Sequence, residues 1–194
     1  MQSDKHAAST KILLGYSMGA RAALLHAVAY PKHWDALILI SANPGIENEA
    51  ARTERASSDA KLAQSIRDDG VPAFLEHWQQ TPMIRSQQHI RADWLATMQR
   101  NRLQHTAEGL ATSLEQFGPS DCPNLWPQLH QFACPTLLIS GALDSKYCAI
   151  AKHMEAGLPQ AQWVSIPEVG HMPHLEAPEP TSAAIRGFIA TLNL

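Results

Sequence analysis

The chain has 194 residues, 45% of them apolar, and its 15 Lys plus Arg against 18 Asp plus Glu leave a net charge of −3. That composition supplies a sizeable core for one domain with room for an inserted subdomain. It excludes the basic footprint of a nucleic-acid binder and the ~18-residue apolar stretch of a membrane-spanning helix. Cys122, Cys134 and Cys148 are odd in number and irregular in spacing, which argues against a disulfide framework or a zinc ribbon and predicts reduced thiols. Residues 12–14 (Ile-Leu-Leu) are too short for a signal-peptide core, so a soluble, cytoplasmic protein is expected.

In chain order, residues 11–14 form a short apolar run that ends at Gly15 and predicts a buried strand. The Ala- and Leu-rich segment 18–29 predicts a helix closed by Tyr30-Pro31. Residues 36–40 (Ala-Leu-Ile-Leu-Ile) predict a second strand, 136–140 a third and 162–166 a fourth, with helices at 146–156 and 179–191. Strands without polar alternation, separated by helices, imply a parallel sheet covered on both faces. Residues 46–120 break this rhythm. They hold Phe74, Leu75 and Trp78 at helical spacing and no convincing strand, which predicts a helical cap inserted between the second and third strands. Four prolines at 119, 123, 127 and 135 mark the return linker. The expected organisation is an α/β core at 1–45 and 121–194 with a cap at 46–120.

The strongest local signal is Gly15-Tyr16-Ser17-Met18-Gly19, which fits G-x-S-x-G with a strand before it and a helix after. A serine on so sharp a turn leaves no room for side chains two positions either side, hence the glycines. The Met18 amide, at the helix start, is then placed to donate to an oxyanion. Asp144 follows the third strand and His171 the fourth, giving the chain order Ser, Asp, His with gaps of 127 and 27 residues. That order belongs to α/β-hydrolases and not to other serine-hydrolase folds. All three residues fall at the C-terminal ends of strands, where a parallel sheet carries its site. Taken singly, Asp144 also suits the N-cap of the following helix, and His171 is one of 10 histidines. His171 and His174 lack a third ligand at metal spacing.

Together these segments resemble an α/β-hydrolase, and more closely the 2-succinyl-6-hydroxy-2,4-cyclohexadiene-1-carboxylate synthases of menaquinone biosynthesis. The resemblance rests on Gly15 to Arg21, on Asn43-Pro44-Gly45-Ile46 followed by Arg52-Thr53-Glu54-Arg55, on His77-Trp78-Gln79-Gln80-Thr81-Pro82, on Gly141 to Lys146, and on Gly170-His171-Met172-Pro173-His174. It implies a lyase that eliminates pyruvate from 2-succinyl-5-enolpyruvyl-6-hydroxy-3-cyclohexene-1-carboxylate. In that chemistry the serine–histidine pair removes a proton from carbon without an acyl-enzyme. The substrate is a polyanion, and arginine offers planar bidentate donors to carboxylates. Arg21 lies one helical turn after Ser17, and the nucleophile helix is expected to hold it independently of the cap. The resemblance adds Arg55 and Arg100 as cap cations and Trp78 as a pocket wall, while Tyr16 is placed to donate a hydrogen bond. No metal or organic cofactor is expected, nor any nucleic-acid or membrane partner, and the oligomeric state is left open.

The family carries further strands ahead of its nucleophile strand and an early His-Gly loop that supplies a second oxyanion donor. This chain reaches its serine at residue 17 and contains no His-Gly pair. The N-terminal strands are therefore expected to be missing, as in a truncated gene model or fragment, leaving the nucleophile strand as an unpaired edge. Two alternatives stay open: a general carboxylesterase or carbon–carbon hydrolase of the same fold, and an inactive fragment that only binds a partner.

Overall fold

The computed structural model describes residues 10–192. Its centre is a four-stranded, wholly parallel sheet in the order β1 (Ile12–Tyr16), β2 (Ala36–Ile40), β3 (Thr136–Gly141) and β4 (Ala161–Ile166). Every residue of β2 and β3 is buried, as expected of central strands covered on both faces. Because strand side chains alternate, Leu37, Leu39 and Leu138 share one face. There they pack on α1 (Met18–Ala29), on α6 (Ser145–Gly157) and on the linker residues Leu125, Leu129 and Phe132. Ile38, Ile40, Leu137 and Ile139 share the other face with Phe188 and Ile185 of α8 (Pro178–Thr191).

Between β2 and β3 lie α2 (Glu49–Trp78), α3 (Pro82–Arg85), α4 (Ala92–Leu103) and α5 (Ala107–Phe117), and no strand is found among these residues. α2 is two helical runs joined at Gly70, whose φ of 82° no helix contains, with Pro72 following. Its small core joins Ala63 and Ile66 to Ala111 of α5, and Arg67 clamps both Glu108 and Glu115 of α5 at 2.9 and 2.7 Å. The insertion is fastened where it leaves and rejoins the sheet. The Leu125 N–H donates to the Pro44 carbonyl at 2.7 Å, and Trp126 Nε1 donates to the Gly45 carbonyl at 3.0 Å. Gly45, at φ 116°, leaves 2.6 Å between a would-be Cβ and the Pro123 carbonyl, so the Asn-Pro-Gly segment is a backbone-on-backbone contact that a side chain would pry open.

Several boundaries differ from expectation. β1 runs two residues beyond Leu14, because Gly15 and Tyr16 still pair with Leu39 and Ile40. Gly15 marks close approach of α1 rather than the strand's end. The linker holds a 3-10 helix at Trp126–Gln131 that prolines had disguised. Among the described residues β1 forms one border of the sheet and has no partner on its outer side, leaving Leu14 51% exposed. No described helix is long and apolar enough to cross a membrane. The three thiols are free, and burial pushes those of Cys122 and Cys134 up.

Candidate active site

Ser17 sits between β1 and α1 with φ at 49°, a left-handed value that a non-glycine residue rarely adopts. Its N–H donates to the Ile40 carbonyl at 2.9 Å, which ties the turn to β2. Although it occupies the N-cap position of α1, its hydroxyl makes no capping bond and instead lies 2.9 Å from His171 Nε2. At Gly15 a Cβ would stand 2.4 Å from the Gly19 carbonyl, whereas a Cβ at Gly19 would meet nothing within 4 Å. The steric demand expected of both glycines therefore applies only to the first. Met18, the first residue of α1, carries one of the amides for which a helix has no internal acceptor.

His171 is buried in the loop after β4, and its Nδ1 is 2.7 Å from Asp144 Oδ2. Asp144 follows β3 and does both jobs open to it. Oδ2 faces the imidazole, while Oδ1 accepts the Tyr147 N–H at 3.3 Å as the N-cap of α6. A carboxylate at Nδ1 favours the proton on that nitrogen and leaves Nε2 as an acceptor for the Ser17 hydroxyl. The three side chains thus form one hydrogen-bonded chain along which a hydroxyl proton can pass to imidazole.

Two phenols flank it. The Tyr16 ring is 5.6 Å from that of His171 and 4.5 Å from that of His174. Tyr147, one turn into α6, meets the His171 ring edge-on at 4.4 Å. Burial pushes both phenols above their ordinary range, Tyr16 strongly. Arg102 opposes the shift at Tyr16, and Arg21 and Arg55 oppose it at Tyr147. Tyr147 was not foreseen, although its place three residues after Asp144, on one helical face, signals it.

The cations divide unevenly. Arg21 donates to the Phe117 carbonyl at 2.8 Å, so the nucleophile helix and the end of α5 hold it jointly, contrary to the expectation that it is independent of the cap. Beside it, Met18, Leu25, Phe117 and Pro123 line a recess of about 240 Å³. Arg55 Nε is 2.7 Å from the buried Asp59. Arg100, expected at the site, is exposed and donates to Thr97 of its own helix at 2.9 Å. Arg102 is the α4 arginine that turns inward. It lies 4.6 Å above the Trp78 ring, donates to Gln87 at 2.7 Å, and is held below its ordinary pKa by burial. Two residues on a helix differ by about 200°, which puts the pair on opposite faces. Trp78 also stacks on Phe74 and borders an open cleft of about 750 Å³.

The chain as a whole is similar to known proteins. The family described as alpha/beta hydrolase fold matches residues 4–178. A Bacillus subtilis protein that carries the name 2-succinyl-6-hydroxy-2,4-cyclohexadiene-1-carboxylate synthase provisionally is 36% identical over 180 residues, covering 93% of this chain and 66% of its own length. The synthase of that name from Serratia proteamaculans is 31% identical over 178 residues, covering 91% of this chain and 67% of its own. The solved structure of MenH from S. aureus superposes with a TM-score of 0.91 at 32% identity, covering 96% of this chain and 70% of that one. The chain thus spans about two thirds of the length of the curated relatives it matches. With an α/β-hydrolase sheet, the strand-end Ser, Asp and His, and these relatives in agreement, the chain belongs to the 2-succinyl-6-hydroxy-2,4-cyclohexadiene-1-carboxylate synthase family of the α/β-hydrolase fold.

Proposed function

We propose that this site eliminates pyruvate from 2-succinyl-5-enolpyruvyl-6-hydroxy-3-cyclohexene-1-carboxylate, with Ser17, His171 and Asp144 as the general base. The observation that carries the reading is the 2.9 Å and 2.7 Å chain from Ser17 through His171 to Asp144, flanked by Tyr16, which feels the charge of Arg102, and Tyr147, which feels those of Arg21 and Arg55. The ring carbon bearing the succinyl group is the acidified one, because its C–H lies beside a ketone. Ser17 takes that proton as its own passes to His171 Nε2, and Asp144 steadies the imidazolium. The electron pair closes a ring double bond, shifts the existing one and expels the enolpyruvyl oxygen. The released enolate takes up on its methylene carbon the proton that His171 now carries, which restores the neutral imidazole and gives pyruvate. Charge that develops on the succinyl carbonyl oxygen falls to the Met18 amide. Arg21, Arg55 and Arg102 receive the carboxylates, Trp78 walls the ring, and Tyr16 and Tyr147 offer neutral phenolic donors. The assay is pyruvate release from the pathway substrate, and turnover that survives in His171→Ala sinks the proposal.

A second reading, ester hydrolysis, draws on the same hydroxyl–imidazole pair, since a serine so activated also attacks acyl carbon. Turnover of p-nitrophenyl esters faster than of the pathway substrate would favour it.

A further inference from the structure

The backbone that carries His171 is gripped by two side chains outside the hydrogen-bonded chain itself. Glu176 lies in the short helix α7 (Pro173–Glu176). Its Oε2 accepts the Gly170 N–H at 2.7 Å and its Oε1 accepts the Met172 N–H at 3.0 Å, so one carboxylate brackets His171 from both neighbours. From the opposite side, Ser41 Oγ donates to the His171 carbonyl at 2.8 Å. Ser41 directly follows β2, is 1% exposed, and has φ at 48°. Its N–H is tied to the Ile139 carbonyl of β3 at 2.8 Å, so the hydroxyl is aimed from the middle of the sheet. A left-handed φ suits glycine best. A serine held there by its surroundings marks a position where the hydroxyl is used.

We infer that Ser41 and Glu176 are positioning residues that set the His171 imidazole between Ser17 and Asp144. The inference rests on the reading of His171 as the base. Three polar groups on three successive residues, Gly170 N–H, His171 C=O and Met172 N–H, are fixed by two side chains from different elements. The ring then has only its own two torsions left, and its contacts at both nitrogens fix those. Releasing either grip lets the loop backbone rotate. A displacement of about 1 Å at a reacting group costs on the order of 10²-fold in rate. The bidentate carboxylate is essential to this design. In Glu176→Gln the amide NH2 faces one of the two backbone N–H groups and breaks one arm while keeping the volume.

The test uses the full 194-residue chain and two variants that separate placement from mere stability, Glu176→Gln and Ser41→Gly. The Nδ1 proton between His171 and Asp144 gives a far-downfield proton resonance, assigned by its loss in His171→Ala. It reports ring placement without substrate. The expected result is that this resonance shifts or broadens in both variants, and that kcat falls about 10- to 100-fold with little change in KM. Ser41→Gly should melt close to wild type, because the ease of glycine at that φ offsets the loss of the hydrogen bond to the His171 carbonyl. An unmoved resonance in both variants overturns the inference, as does a loss of kcat that simply follows the loss of Tm. In a chain without measurable turnover the resonance alone decides. Undiminished turnover in His171→Ala would instead overturn the reading of the site, which is a separate outcome.

Discussion

The strand-end residues and the helical insertion are built on different physical terms. Ser17, Asp144 and His171 leave strands of a sheet whose central residues are buried on both faces, and they bond to one another at 2.7 and 2.9 Å. The cations are each tethered to a neighbour: within the insertion Arg55 to Asp59 and Arg102 to Gln87, and Arg21 of α1 across to the Phe117 carbonyl at the insertion's end. The insertion has a small core between α2 and α5 and is fastened to the sheet by hydrogen bonds at Pro44 and Gly45. On the proposed reading the chemistry sits on the layer of strand ends, and charge recognition on the layer of tethered cations. Damage to the first layer should be severe and cooperative; damage to the second should be graded.

The sharpest test is at the strand ends. Ser17→Ala and His171→Ala should each lower kcat about 10²–10⁴-fold, the range for a positioned general base, with the fold intact by circular dichroism. Because the two act as a unit, the double variant should be scarcely worse than either single one. Multiplicative losses would mean that the pair works separately, and the contrast between the layers would lose its basis.

The cations should respond in steps. Arg102→Ala and Arg21→Ala each remove a charge-assisted bond worth about 1.5–3 kcal/mol, or roughly 10- to 150-fold in kcat/KM. Arg21→Lys should recover only part, since lysine lacks the planar fork. Arg100→Ala, on the exposed side of the same helix as Arg102, should stay within the ~0.5 kcal/mol scatter of surface substitutions. Parallel kcat/KM measurements on the four variants read this directly. Equal losses at Arg100 and Arg102 would mean that α4 presents a different face to substrate.

The glycines of the turn sharpen the comparison on the stability side. Gly15→Ala drives a Cβ into the backbone of Gly19 and Ala20 at 2.4 and 2.7 Å. Neither atom can step aside, so the cost should be about 1–3 kcal/mol or more in urea titrations. Gly19→Ala meets open space inside a helix and should be neutral or stabilising by up to ~1 kcal/mol. Equal effects at the two sites would mean that both glycines are sterically required after all.

These contrasts follow what can be read in a sequence. Residues 36–40 and 136–140 are apolar throughout because both faces are covered, so β2 and β3 needed no tertiary knowledge. Pro31 stops α1 legibly. Arg102 was hidden because α4 has no buried residue to fix its phase, and a helical arginine two positions away looks equivalent until the face is known. Ser41 and Glu176 were hidden for another reason. They bond to backbone groups of a loop, which any sequence supplies, so no motif marks them. The overlap of roles at Asp144 was half legible. N-cap and imidazole partner were read as rivals, yet a carboxylate has two oxygens, and here each takes one role.

The smallest expected effect concerns pH. His174 lies against Tyr16 with Nδ1 buried and without a partner. Burial holds its pKa below the ordinary 6.5, the charge of His171 pushes the same way, and Glu176 opposes both. The folded chain therefore binds this proton less readily than the unfolded chain does. Below about pH 6.5 the unfolded state carries more protons, so the stability that neutral His174 contributes is complete above that value and is lost as pH falls through its lower folded value. His174→Gln keeps a polar side chain of similar reach and cannot titrate. Urea midpoints taken at about pH 7.5 and about pH 5.5 should fall further for the native chain than for His174→Gln, since only the native chain has this proton to take up. Identical falls in the two proteins would assign the acid sensitivity to other groups. They would also mean that the protonated ring finds a partner in Glu176 strong enough to offset its burial.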